Sequence, residues 1–103
     1  MSFNIDLIPE KYHNDIDKAI KILKDEGCNE IYLFGSLVNG NIRENSDIDF
    51  AVNGLPENRY FKVMGRMMME LKNSFDLIDL DEKDNPFTKT ITKGELVRIE
   101  ANN

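Results

Sequence analysis

Two aspartates in a short apolar run, Asp47 and Asp49, have the residue type and spacing of a metal site. On a β-strand, residues i and i+2 project from the same face, so both carboxylates would lie on one face and Ile48 and Phe50 on the other. Two acids about 6–7 Å apart along a strand repel each other, and a divalent cation between them removes that repulsion. The pattern therefore predicts a cation site. The alternative is a chance pair in a chain with 19 acidic residues, where Asn45 opens the strand through an Asx turn.

A candidate phosphate-binding turn precedes this run. Gly35 and Ser36 end an apolar segment, where backbone N–H groups and a hydroxyl can receive phosphate oxygens. Alone, these two residues are more typical of a plain strand-exit turn. Ten residues separate Ser36 from Asp47, and a further acid lies in a later apolar run. A phosphate turn, a carboxylate pair and a third strand acid, in this order, indicate metal-dependent phosphoryl transfer.

The composition limits the metal and the partners. The single Cys28 and the single His13 exclude a cysteine-based zinc site and a histidine cluster, so oxygen ligands remain, and these favour magnesium, manganese or calcium. A net charge of −6 opposes binding through phosphate neutralisation, so nucleic acid is not an expected partner. No apolar run approaches the roughly 20 residues that span a bilayer, and no signal-peptide pattern opens the chain. We expect a cytoplasmic protein without membrane contact, and its length predicts a single domain, 1–103.

Alternating helices and strands are predicted to position these residues. Apolar spacing predicts a helix over about 10–26, a second helix from Tyr60 to about Asn73, and strands over 31–34, 47–52, 75–80 and 96–99. Segment 37–46 is predicted as a loop with one helical turn after Gly35, and a short helix is predicted after Pro86. Core packing is expected for the methionines of the second helix, Met64, Met67, Met68 and Met69. This order of elements predicts an α/β or α+β sheet covered by helices.

The same residues carry a resemblance to a known family. The segment from Leu33 to Val52 resembles the G-S-x10-D-x-D signature of the polymerase-beta-like nucleotidyltransferases, in particular the minimal nucleotidyltransferases (MNTs) of bacteria and archaea. Their third acid lies in an apolar strand after the next helix, as segment 75–79 does here, and the resemblance spans about residues 28–100. It implies a small mixed sheet flanked by helices, a nucleoside triphosphate substrate such as ATP, two Mg²⁺ ions (or Mn²⁺), and transfer of a nucleoside monophosphate with loss of pyrophosphate.

By that resemblance, Asp47, Asp49 and a third acid ligate the metals, while the Gly35 backbone and Ser36 hold the triphosphate. For the third acid we choose Asp76 over Asp79, because it follows an aromatic residue as in the family pattern. The odd spacing of these two acids puts them on opposite faces of a strand. The chain departs from the family after Gly-Ser, where basic residues are common: the first base here is at position 43, which predicts weakened phosphate binding.

Two functional hypotheses follow. The first is an enzyme that transfers AMP from ATP to a hydroxyl acceptor; the resemblance suggests a small helical HEPN toxin as acceptor and partner, since MNTs are often paired with one. Self-association is the other way to complete the cleft. The alternative is a catalytically weak nucleotide-binding antitoxin module that acts by binding a helical partner. A receiver-type signalling domain is disfavoured, because it needs a longer chain and a different order of acids.

Overall fold

Helices and strands alternate in the computed structural model, which describes residues 5–40, 42–82 and 96–99. The helices are α1 (His13–Asp25), α2 (Ser36–Asn39) and α3 (Tyr60–Glu70), and the strands are β1 (Glu30–Phe34), β2 (Ile48–Asn53), β3 (Phe75–Asp79) and β4 (Val97–Arg98). Short 3₁₀ turns at Ile5–Leu7, Glu10–Tyr12 and Glu57–Arg59 complete the described elements. The predicted alternation is confirmed over the described residues, including the single helical turn after Gly35.

The strands form one mixed sheet in the order β3-β2-β1-β4. β1 pairs antiparallel with β2 and with β4, whereas β2 and β3 are parallel. This confirms the predicted small mixed sheet flanked by helices. The sheet places the end of β1 beside the start of β2 and of β3, because Asp49 pairs with Phe34 on one side and with Asp76 on the other.

The core lies between this sheet and helices α1 and α3. Every second residue of β2 points into it, and Ile48, Phe50 and Val52 are fully buried, as the strand pattern predicted. The apolar residues of α1 and α3 that are fully buried against them are Ile16, Ala19, Ile22, Leu23, Val63 and Met67. At about 25 cal/mol per Å² of apolar surface, this burial is the main favourable term in folding.

An ion-pair cluster joins α1 to α3. The carboxylate of Glu26, only 5% exposed, lies 2.9 Å from Arg59, 3.1 Å from Arg66 and 3.6 Å from Lys62. Burial raises the pKa of Glu26, but the hydrogen bonds from Arg66 and Arg59 and the charge of Lys62 outweigh it, so the pKa lies below its ordinary value. The cluster therefore stabilises the packing of the two helices while Glu26 is charged.

The structure corrects several details of the predicted elements. Helix α3 ends at Glu70 rather than near Asn73, because Leu71 is already extended (φ −83°, ψ 142°). The last strand is limited to Val97–Arg98. Of the four methionines, only Met67 is fully buried; Met68 and Met69 are 70% and 88% exposed, because successive helical residues are rotated by about 100°. The helix predicted after Pro86 lies outside the described residues.

Candidate active site

Two aspartates predicted for the site are neighbours across parallel strands. Asp49 of β2 and Asp76 of β3 are paired in register. Paired residues of adjacent strands lie about 4.8 Å apart and project from the same face of the sheet. The two carboxyl groups are close enough for Asp76 to influence the ionisation of Asp49. Asp49 is half-buried and Asp76 is exposed, so the pair lies at the rim of the sheet, open to a ligand.

The electrostatic environment of Asp49 disfavours its negative charge. Burial raises its pKa, and the charges of Asp76 and Asp47 and the hydrogen bond to Asp76 raise it further, from 3.8 to about 6. Without a cation, the pair therefore holds a proton at mildly acidic pH. A cation bound between these carboxylates would replace that proton and remove the repulsion.

The third predicted aspartate, Asp47, lies just before β2 rather than in it. Its side chain is exposed, and its Oδ1 accepts a hydrogen bond from the hydroxyl of Ser74. Ser74 also accepts a backbone hydrogen bond from Ile48 (3.0 Å), which brings the residue before β3 next to the residue before β2. Sequence reasoning missed Ser74, since in the sequence it is an ordinary polar residue in a turn.

Gly35 brings the predicted phosphate turn into contact with Asp49. Gly35 adopts φ +76° and ψ −151°, a conformation that L-residues rarely adopt. A Cβ at this position would lie 2.1 Å from Oδ2 of Asp49, so only glycine leaves room for the carboxylate. The next residue, half-buried Ser36, begins α2. The predicted phosphate turn and Asp49 are thus in close contact.

Asp79, the acid not chosen, lies away from this group. It pairs with Val52, three positions along the ladder from the Asp49–Asp76 pair, or about 10 Å. Its carboxylate accepts a hydrogen bond from the backbone N–H of Asp81 (2.9 Å), which is a local turn contact. The structure therefore brings Asp76, and not Asp79, next to Asp49.

A cavity of about 450 Å³ opens beside the carboxylate pair, between β3 and α3. Its lining residues are Phe34, Asp49, Tyr60, Met64, Asp76, Leu77 and Ile78. The hydroxyl of Tyr60 donates a 2.7 Å hydrogen bond to the carbonyl of Leu77. Burial and the charges of Asp79, Glu82 and Asp76 raise the pKa of Tyr60, so it remains a neutral donor. The sequence pattern had indicated Tyr60 only as a member of the apolar stripe.

Comparison with known proteins places this arrangement in a family. The sequence model described as polymerase beta, nucleotidyltransferase, matches residues 14–102, which include every site residue named above. The chain belongs to this family. No curated protein matches the nucleotidyltransferase significantly in sequence.

Solved structures share the fold of this nucleotidyltransferase. A chain of a crystal structure of a toxin–antitoxin with AMP-PNP is 24% identical, with a TM-score of 0.58 over 91% of this chain and 75% of that one. A chain of a complex between a tri-AMPylated Shewanella oneidensis HEPN toxin and an MNT antitoxin is 23% identical, with a TM-score of 0.60 over 87% and 72%. A chain of the toxin–antitoxin MntA–HepT is 22% identical, with a TM-score of 0.54 over 87% and 73%.

The oxygen donors of the nucleotidyltransferase fit a hard divalent cation. Mg²⁺ and Mn²⁺ prefer carboxylate oxygens, and Asp49 and Asp76 present a repelling pair of them. Within the described ranges, no three acidic, histidine or cysteine side chains already converge as a ligand set. Asp47 acts on Asp49 through its charge, and its own carboxylate is held by Ser74. The structure therefore forms the Asp49–Asp76 pair, and the carboxylate of Asp47 lies beside that pair.

Leu37, which follows the Gly-Ser turn, has a structural use in this nucleotidyltransferase. Leu37 is 3% exposed and packs into the core, so it anchors the short helix α2. Arg43, the first base of the loop, is exposed, and its backbone N–H donates to the hydroxyl of Ser46 (2.7 Å).

Across the described residues, no helix has both the length and the apolar character needed to cross a membrane.

Proposed function

We propose that the protein transfers AMP from ATP to a hydroxyl group of a protein acceptor, with Mg²⁺ as cofactor. The observation that carries this proposal is the pairing of Asp49 with Asp76, directly against the backbone of Gly35. Acidic oxygens for a cation and a close backbone turn for a phosphate thus lie within one site. Family membership supports nucleotidyl transfer as the reaction class.

Each site residue has a role in this proposal. Asp47, Asp49 and Asp76 hold two divalent ions, which when bound neutralise the negative charge that develops on the transferred phosphate and the leaving group. The backbone of Gly35 and the hydroxyl of Ser36 hold the triphosphate tail. The acceptor oxygen forms a bond to the α-phosphorus, the bond to the β-phosphate oxygen breaks, and pyrophosphate leaves. A carboxylate oxygen of Asp76, which is exposed, receives the acceptor's proton.

The proposed acceptor is a helical partner of the HEPN class, met in the cytoplasm. Three observations on similar folds support a protein partner: one neighbour is a toxin–antitoxin with AMP-PNP, one contains a tri-AMPylated HEPN toxin, and one is MntA–HepT. The carboxylate pair lies at an open rim of the sheet, where a partner can complete the cleft. Self-association is the competing way to complete it.

Label transfer tests this proposal directly. The protein is incubated with α-labelled ATP, Mg²⁺ and host-cell extract, with Asp49→Asn as the inactive variant and Asp17→Asn, an exposed acid on α1, as the matched control. We expect one labelled protein band with the wild type and with Asp17→Asn, and none with Asp49→Asn. Absence of label with all four nucleoside triphosphates would refute nucleotidyl transfer.

A catalytically weak binding module is the second candidate. It is favoured by one observation: the segment after Ser36 carries no base before Arg43, and Leu37 within it is buried in the core. This candidate predicts Mg²⁺-dependent nucleotide binding without label transfer. Equilibrium binding of a fluorescent ATP analogue, measured beside the transfer assay, separates the two.

A further inference from the structure

A buried carboxylate on α1 has no role in the chemistry described so far. Asp15 is 1% exposed, and its oxygens accept hydrogen bonds from the turn between α3 and β3. The N–H of Lys72 lies 3.0 and 3.1 Å from the two oxygens, and the N–H and the side-chain amide of Asn73 lie 2.7 and 2.8 Å from Oδ2. Burying a carboxylate is costly unless it is well hydrogen-bonded, so this contact holds the turn firmly.

The clamped turn ends at Ser74, the residue that contacts Asp47. The carbonyl of Ser74 accepts from Ile48 (3.0 Å), and its hydroxyl donates to Oδ1 of Asp47. The orientation of that hydroxyl is therefore set by backbone contacts on both sides of Ser74. Asp47 itself precedes the β2 ladder and is exposed, so the strand alone does not fix its side chain.

Residues at the start of α1 also hold Ser46, the residue that precedes Asp47. The hydroxyl of Tyr12, which is 1% exposed, donates to the carbonyl of Ser46 (2.9 Å). The side-chain amide of Asn73 donates in addition to the carbonyl of Lys11 (3.1 Å). The backbone before Asp47 and the serine that contacts its carboxylate are thus both connected by hydrogen bonds to residues 11–15.

We propose that Asp15 and Ser74 are positioning residues for Asp47. Ser74 donates to Oδ1, which leaves Oδ2 available to a cation, and Asp15 keeps Ser74 in place. The inference rests on the proposed function, in which Asp47 is a metal ligand. Groups that hydrogen-bond to a ligating carboxylate set its orientation, and their removal typically weakens metal binding or activity about 10- to 100-fold.

Binding of Mn²⁺ alone, followed by electron paramagnetic resonance, tests the role of Ser74. We expect Ser74→Ala to weaken Mn²⁺ binding about 10-fold and Ser74→Thr, which keeps the hydroxyl, to stay within about threefold of the wild type. The matched control is Asn53→Ala, which removes a side-chain hydrogen bond to Glu30 (3.0 Å) at the far end of β2 and leaves binding unchanged. Because Ser74 is exposed, its variants keep the wild-type melting temperature without metal.

Asp15→Asn, with Asp17→Asn as control, tests the anchor. An amide nitrogen cannot accept the N–H groups of the turn, so Asp15→Asn is expected to weaken Mn²⁺ binding at a temperature where circular dichroism shows the variant folded. If Asp15→Asn does not fold, the comparison of Ser74→Ala with Ser74→Thr tests the inference. Wild-type Mn²⁺ affinity in Ser74→Ala, or equal weakening in Ser74→Ala and Ser74→Thr, would overturn this inference and leave the proposed function standing. A wild-type protein that binds no Mn²⁺ would overturn both this inference and the metal assignment of the proposed function.

Discussion

Asp49→Asn is expected to stabilise the metal-free protein at neutral pH, although it removes a residue that we place in the active site. The carboxylate of Asp49 is half-buried and faces the charges of Asp76 and Asp47. An asparagine side chain has nearly the same shape and can donate a hydrogen bond to Asp76, but it carries no charge. The variant therefore removes an electrostatic repulsion that is present in the metal-free wild type and that a bound cation would neutralise.

The pKa gives the size and the sign of the effect. A rise from 3.8 to about 6 corresponds to about 3 kcal/mol, at about 1.4 kcal/mol for each tenfold change in proton affinity. Since the group is partly exposed, solvent screening reduces this to about 1–2 kcal/mol. The folded protein binds this proton more tightly than the unfolded chain, so wild-type stability falls as the pH rises from below 3.8 through about 6. The variant lacks this loss, and its advantage is complete above pH 7.

Thermal unfolding in a metal chelator, followed by circular dichroism from pH 4 to 7.5, measures this difference. We expect Asp49→Asn to melt about 5–10 °C above the wild type at pH 7.5 and close to it at pH 4. Asp17→Asn controls for the change in net charge and should show no such pH-dependent gap. A variant that melts at or below the wild-type temperature at pH 7.5 would refute the reasoning.

Three further predictions concern neighbouring contacts. Gly35→Ala is expected to destabilise the protein more than Gly40→Ala in urea unfolding, because both glycines have positive φ (+76° and +88°) but only the first Cβ would collide, at 2.1 Å. Asp76→Asn should slow label transfer about 100-fold or more and Asp79→Asn less than about threefold, since a bound metal contributes several kcal/mol to the transition state. Glu26→Gln should lower the melting temperature at pH 7, because three cations lose a buried charged partner. The lowered pKa of Glu26 makes its contribution present above pH 4.5 and lost as the pH falls, so the two melting temperatures should converge in acid.

Specific outcomes would contradict each of these. Equal unfolding midpoints for Gly35→Ala and Gly40→Ala would show that the loop accommodates a Cβ at Gly35 without an additional loss of stability. A larger loss of label transfer in Asp79→Asn than in Asp76→Asn would identify Asp79, and not Asp76, as the third acid of the site. A constant difference between Glu26→Gln and the wild type from pH 3 to 7 would show that packing, and not charge, carries the contribution.

Much of the fold could be predicted because its elements are short and strongly patterned. The two-residue spacing of Ile48, Phe50 and Val52 predicted a buried face of β2, and all three are fully buried. The helical spacing of α1 was equally informative. The end of α3 was wrong, because Asp15, far away in the sequence, accepts the N–H groups of Lys72 and Asn73 and stops the helix. The exposure of Met68 and Met69 also depends on which face of α3 meets the sheet.

The sequence by itself determined the chemical inventory of the site: a glycine-serine turn, a carboxylate pair and a later strand acid, with Cys28 and His13 too few to ligate a metal in clusters. Only the tertiary structure decided which acids are neighbours, because the register of β2 against β3 pairs Asp49 with Asp76 and leaves Asp79 elsewhere. It also decided the roles of Ser74 and Asp15, whose partners lie 27 and more than 50 positions away in the chain. The physical reason is that residue type and local spacing set which groups can react and which face they occupy. Long-range pairing and packing set the distances, burial and pKa values on which their chemistry depends.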